Sequence, residues 1–340
     1  MSEDSFFGLA YPDFQRAVTR QIESLCAQHG VTRIVVFGSN LVGLTRRANV
    51  SRSRILDICD SVTLTLEREM VLSSARYGLF EQAVRNLMLR RWRALEAMAP
   101  HWFDQVVTIN HSDTETVRAL SRGRPNLSTV PNGIDSVWRS SYQEGPCGRK
   151  AVAFWGNLSF PPNSEAVKFF YRKVYLPFLK PAGVGWCVVG RNPEDWLVRA
   201  AEKDGGIRLT GYVGNLRAFL AEYPIMVNPM FSGSGMKNKV LEAHALGLAV
   251  VSTGLGMESV DGAIAGETYM HADDAGVFAH AIMDLLTDER QRIQLLRRAR
   301  SLIESRYTWD IVGAQWLEVI GRAQPGQKET GAPYREVRHA

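Results

Sequence analysis

Between residues 224 and 253 the chain reads as strand, glycine loop, helix and strand, and this order constrains the fold more than any other stretch. Pro224-Ile225-Met226-Val227 is an apolar run of the buried-strand type. Phe231-Ser232-Gly233-Ser234-Gly235 carries too much glycine for either regular element. Residues 236–245 are good helix formers, with a stop at Gly247. Residues 248–253 form a second apolar strand, ending in Gly254-Leu255-Gly256. A strand–loop–helix–strand unit opens both loops on the carboxyl edge of a parallel sheet, where open α/β folds bind ligands.

The charges of that helix narrow the ligand. Lys237 and Lys239 fall in its first turn, where the positive end of the helix dipole disfavours cations. An anion at the loop would offset both, held by the backbone N–H groups of Gly233, Ser234, Gly235 and Met236. Lys239 and Glu242 share a face, with Glu242 about 4.5 Å further along the axis. Lys237 lies roughly 200° around the helix from Lys239 and is the weaker candidate. A cation at the loop and a carboxylate one step beyond suit a diphosphate followed by a vicinal diol, as in a nucleotide-sugar. A solvated Lys239–Glu242 pair is the plain alternative. Dinucleotide binding is disfavoured, because the third glycine of G-x-G-x-x-G is missing and the acidic residue comes too early.

The run from Gly233 through Met236, Lys237, Asn238, Lys239 and Glu242 to Ala243 is followed by Gly247-Leu248-Ala249-Val250-Val251-Ser252-Thr253 and Gly256-Met257-Glu258. Together these resemble the donor-binding signature of retaining glycosyltransferases of the GT-B fold (family 4 type). Within that family the chain is most similar to sugar transferases of exopolysaccharide and exosortase gene clusters. The resemblance covers nearly the whole chain and is specific in its second half. It implies two Rossmann-like α/β domains whose parallel sheets face each other across a cleft. It also implies transfer of a sugar, with retention, from a nucleoside diphosphate sugar to a polysaccharide or lipid-linked acceptor. Lys239 and Glu242 would then be the catalytic pair. No cofactor beyond the nucleotide-sugar co-substrate is implied, no metal cluster is visible, and no nucleic-acid partner is expected.

The chain has 340 residues, enough for two domains with separate cores. Residues 1–139 are read as the first domain, 140–150 as a linker with Gly145, Pro146 and Gly148, and 151–306 as the donor domain. Residues 307–322 are expected as a last helix returning to the first domain, and 323–340 as a disordered tail. The first domain looks shortened, since no strand with a glycine loop precedes residue 31. Cys26, Cys59, Cys147 and Cys187 match no zinc or redox spacing and read as reduced thiols of a cytoplasmic protein. Neither a signal peptide nor a membrane span is evident. Arginines at 90, 91 and 93 and at 297, 298 and 300 read first as solvated helix faces. Peripheral contact with the inner face of a membrane is the second reading.

Several strand ends add candidates. Arg33-Ile34-Val35-Val36-Phe37 ends in Gly38 and Ser39, which resemble a ligand-facing turn on the acceptor side. His111 follows the strand at residues 106–109, with Ser112 and Glu115 expected to form a capping box. Asp57 and Asp60 end another strand, facing the cleft or serving in a turn. Glu96 is expected on a surface of one long helical region, residues 67–98. In the second domain Gly156 and Asn157 follow a strand, and the Pro-Asn sequence after them lacks the phosphate-holding cations of many relatives. Gly190 and Arg191 follow the next strand, Arg191 as a second cation. The resemblance places the nucleotide base at Tyr212 and Val213. Ser234 stands where many relatives carry a glutamate for the donor sugar, and Glu258 is a candidate substitute. A nucleotide-sugar-binding protein without turnover and a sugar epimerase remain alternatives.

Overall fold

The computed structural model describes residues 12–45, 53–73, 78–144 and 148–323. The expected tail, most of it beyond residue 323, and Cys147 lie outside these residues.

In the first domain β1 (Arg33–Phe37), β2 (Ser53–Cys59), β3 (Gln105–Thr108) and β4 (Leu127–Thr129) form a parallel sheet in the order β1-β2-β3-β4. A parallel sheet buries both faces, so its strands are apolar on both sides. Leu56, Ile58 and Val106 pack with Ala99, Phe103 and Val117 on one face. Ile55, Val107 and Val130 pack on the other against Val312 and Val319 of the last helix, Trp309–Arg322.

The second sheet runs β10 (Met270–His271), β9 (Ala249–Ser252), β8 (Ile225–Asn228), β5 (Ala151–Trp155), β6 (Gly185–Val189), β7 (Ile207–Leu209), and every pair is parallel. Strand β5 is buried along its whole length and shows why both layers are needed. Val152 and Phe154 face a core with Val167, Phe170, Phe278 and Ile282. Ala153 and Trp155 face the opposite core, with Val240, Leu241, Leu302 and Ile303.

The chain passes between domains twice, and the two crossings touch. The Ile134 N–H donates to the Tyr307 carbonyl at 2.6 Å, and Ile134 pairs with Thr308 in a parallel bridge.

Three local expectations are corrected. The arginine-rich region is two helices, Val62–Ser73 and Leu79–Trp102. Glu96 is fully buried, not on a surface: it accepts from Ser61 Oγ at 2.7 Å and from the backbone N–H of Val62 and Thr63. It thereby caps the first of the two helices from outside, meeting N–H groups that have no partner within the helix. The helix His111–Leu120 is capped by Asn110, whose side chain accepts from the Asp113 N–H at 2.9 Å, not by Ser112 and Glu115.

Candidate active site

Strands β5, β6 and β7 end side by side, and the loops that follow them enclose a cavity of about 430 Å³. Its lining includes Trp155, Gly156, Asn157, Gly190, Arg191, Tyr212 and Val213. The six loop residues named from sequence in this region are therefore brought together. Gly190 is required by close approach, because a Cβ there would collide with the Gly156 carbonyl. The Arg191 guanidinium lies 4.4 Å from the centre of the Tyr212 ring, a cation–π contact at the exposed mouth of the cavity.

The helix after the glycine loop spans Asn238–Leu246, so Lys237 is its N-cap residue and not its first turn. Lys239 and Glu242 both reach the end of β5. The Lys239 ammonium lies 4.4 Å from the Phe154 ring centre and donates to Asn163 Oδ1 at 2.7 Å. Asn163 in turn donates to the Asn157 carbonyl at 2.9 Å, so the Pro-Asn sequence links Lys239 to the cavity loop. Burial, reinforced by the neighbouring Lys237 charge and opposed by Glu242, pushes the Lys239 pKa down to about 7. Glu242 accepts from Trp155 Nε1 at 2.7 Å and lines a second cavity with Asn132, Asp135 and Trp309 at the domain crossing. Burial raises its carboxyl, against the lowering effect of the Trp155 hydrogen bond and Lys239.

Lys237 does not face either cavity. It is 7% exposed, and its ammonium folds back onto the carbonyls of Ser234 and Gly235 at 2.8 and 2.9 Å. Its charge is met by Glu258, Asp60 and Asp113, while burial lowers its pKa. The argument that two first-turn lysines call for a bound anion is therefore corrected for Lys237, since protein carboxylates already surround it.

The glycine loop is docked on the first domain. Gly235 has φ +73°, and a Cβ there would collide with the Asp60 carboxylate. The Ser234 hydroxyl meets that of Thr65 and lies 3.3 Å from the Ser61 carbonyl. Arg68 donates to the Gly233 carbonyl at 3.1 Å and to Glu258 at 2.7 Å. Burial would raise the Glu258 carboxyl, but hydrogen bonds from Arg68 and Ser112 outweigh it and leave it lowered. Ser232 donates to Glu165 at 2.8 Å, so its hydroxyl proton is already engaged. Among the described residues, the backbone N–H groups of Gly233, Ser234, Gly235 and Met236 meet no acceptor. Asp113, at 0% exposure, is raised to about 7 by burial and by Asp60, against hydrogen bonds from Ser61 and Asn110.

The residues expected on the acceptor side are dispersed. Ser39 is buried and its hydroxyl lies 3.3 Å from the Ile58 carbonyl, while the Gly38 N–H donates to the Asp57 carbonyl at 2.8 Å. Both are occupied within the first sheet. His111 is exposed at the interdomain edge, 3.8 Å from Glu115 and on the side of Asp261 of the second domain; burial raises the Asp261 carboxyl. Arg297, Arg298 and Arg300 pair with Glu144, Glu267 and Glu304. Sequence reasoning missed Arg68 and Trp155, and named the Pro-Asn sequence for its lack of a cation without the contact of Asn163 with Lys239. Only Asn163 had a local signal, the prolines that start its helix, Pro161–Phe169. Among the described residues no group of His, Cys, Asp and Glu is placed to hold a metal, and no helix is long and apolar enough to cross a membrane.

Residues 149–288 match the family described as glycosyl transferases group 1. An uncharacterized 44.6 kDa protein in the cps region of Klebsiella pneumoniae is 28% identical over 196 residues, which are 52% of this chain and 48% of that protein. The chain thus spans about half the length of the curated relative it matches. HepE of Anabaena, solved with UDP, superposes with a TM-score of 0.67 at 12% identity, over 89% of this chain and 81% of that one. Sucrose-phosphate synthase of Thermosynechococcus elongatus gives a TM-score of 0.67 at 14% identity, over 93% and 78%. TarM gives 0.64 at 13% identity, over 84% of this chain and 54% of its own. With two parallel-sheet domains and these structural neighbours, the chain has the GT-B-like α/β fold, and its second domain carries the likeness to group 1 glycosyl transferases.

Proposed function

We propose that the protein is a glycosyltransferase that takes a sugar from a nucleoside diphosphate sugar and passes it, with retention, to a polysaccharide or lipid-linked hydroxyl. The observation that carries the reading is the continuity of three features. A cavity at the ends of β5–β7, Lys239 and Glu242 at the end of β5, and a loop with unpaired N–H groups follow one another along a single sheet edge. A base fits the cavity, the ribose hydroxyls fit Glu242 beside Trp155, and the diphosphate fits the loop and Lys239. As the glycosidic bond breaks, charge builds on the leaving diphosphate. A cation and backbone N–H groups held in place stabilise that charge without reorganising, the task a metal ion performs in other sites. The cps-region relative, and the UDP and UDP-glucose complexes of HepE, support the donor class and a role in cell-surface glycan synthesis.

Titration with UDP, GDP and their glucose and mannose conjugates, followed by turnover with saccharide acceptors, tests the reading. Lys239→Ala is expected to lower kcat at least tenfold more than it weakens donor binding. Equal losses would reduce Lys239 to an anchor. Tight donor binding with no transfer to any acceptor would favour the alternative of a nucleotide-sugar-binding protein.

A further inference from the structure

Of six carboxylates around the glycine loop, five accept hydrogen bonds, while the sixth, Asp60, meets only the charge of Lys237. Glu258 accepts from Arg68, Glu165 from Ser232, Glu242 from Trp155, Asp113 from Asn110, and Asp57 from the backbone N–H of Cys59 at 2.8 Å. Among the described residues the Asp60 carboxylate accepts no hydrogen bond, and it stands against Gly235 with solvent access retained.

The backbone that presents Asp60 is distorted. The pairing of β2 with β3 shifts register between Asp57 and Cys59, and Cys59 has φ +61°, the left-handed region that a non-glycine residue enters at a cost. A bulge at a strand end re-aims the residues after it, and strain of this kind persists where the surroundings hold it in place. Here it turns Asp60 off the end of the first sheet and toward the loop of the second.

We propose that Asp60, supplied by the first domain, is the residue that reads the transferred sugar, accepting hydrogen bonds from its hydroxyl groups. A carboxylate beside an anion-binding loop repels phosphate, so its ligand is the neutral, hydroxyl-bearing part of the donor beyond the diphosphate. Among the described residues, the second-domain carboxylates there, Glu165, Glu242 and Glu258, are already hydrogen-bonded, and Ser234 is turned onto Thr65 and Ser61. Sugar selection therefore depends on closure of the two domains, which alone brings Asp60 to the loop.

This inference rests on the nucleotide-sugar reading, and the test separates the two. Binding of UDP, UDP-glucose, UDP-N-acetylglucosamine, GDP and GDP-mannose is measured by calorimetry for the wild type, Asp60→Asn and Asp60→Ala. In both variants the bare nucleoside diphosphate keeps its affinity within about twofold, whereas the matching nucleotide-sugar loses about tenfold, the scale of one charge-assisted hydrogen bond. A parallel loss of both ligands, or no loss of either, overturns the role of Asp60. Wild-type protein that binds none of the five overturns the donor reading, and this inference with it. Unchanged melting temperatures of the ligand-free variants confirm that folding is not what is being read.

Discussion

Lys239 has two demands on its charge. The fold places its ammonium on the Phe154 ring and Asn163, with burial and Lys237 favouring the neutral form, so its pKa stands at about 7. Because this folded value lies below the unfolded 10.5, the contribution of Lys239 to the stability of the ligand-free protein is fully present above pH 10.5 and is lost as pH falls toward 7. A diphosphate demands the opposite, since it pairs with the protonated form. Binding near pH 8 should therefore take up a proton, and nucleoside diphosphate affinity should fall up to about tenfold per pH unit above 7. Calorimetry in buffers of different ionisation enthalpy measures the proton directly. Affinity that is flat from pH 7 to 9, without proton uptake, would place the diphosphate away from Lys239.

At the scale of elements, the helix Asn238–Leu246 carries Lys239 and Glu242 of the candidate site on one side and a structural cost on another. His244 has 0% exposure and neither ring nitrogen has a hydrogen-bond partner, so burial lowers its pKa to about 4 from 6.5. The unfolded chain takes up the proton first, so stability should fall as pH drops from about 6.5 to 4, by about 3 kcal/mol in all. His244→Leu should flatten urea denaturation midpoints across that window, and a variant with the wild-type slope would refute the assignment. Sequence showed this helix and its flanking strands clearly because doubly covered parallel strands are continuous apolar runs, and β5, β8 and β9 are buried throughout. It did not show the burial of Glu96, whose role is to cap a helix that begins 34 residues earlier. Nor did it show the Trp155–Glu242 bond, which spans 87 residues. Both depend on tertiary neighbours that leave no periodic trace. The break between the two helices left one local mark, Gly78 at the N-cap of the second.

In the whole molecule, the two chain crossings are accompanied by side-chain contacts between the domains, among them Asn132 donating to Asn238 at 2.9 Å beside the crossings. The crossings at Ile134 and Tyr307 share a backbone hydrogen bond, which makes them a common pivot. Away from the pivot, Arg68 spans the gap, reaching the Gly233 carbonyl and Glu258 together, with Thr65 and Ser234 meeting beside it. Since Asp60 and the glycine loop lie next to this contact, domain closure would, on the proposed function, also complete the donor site. The Arg68 and Glu258 side chains are 23% and 26% exposed, so solvent screens the pair and its worth is modest. A double-mutant cycle of Arg68→Ala and Glu258→Ala should give a coupling of about 1 kcal/mol in stability, shrinking as salt is raised. The same cycle read on nucleotide-sugar affinity should show coupling of the same sign, because binding and closure draw on one contact. Coupling in stability with none in affinity would mean that the domains close independently of the donor, and that the pair only holds the two sheets together.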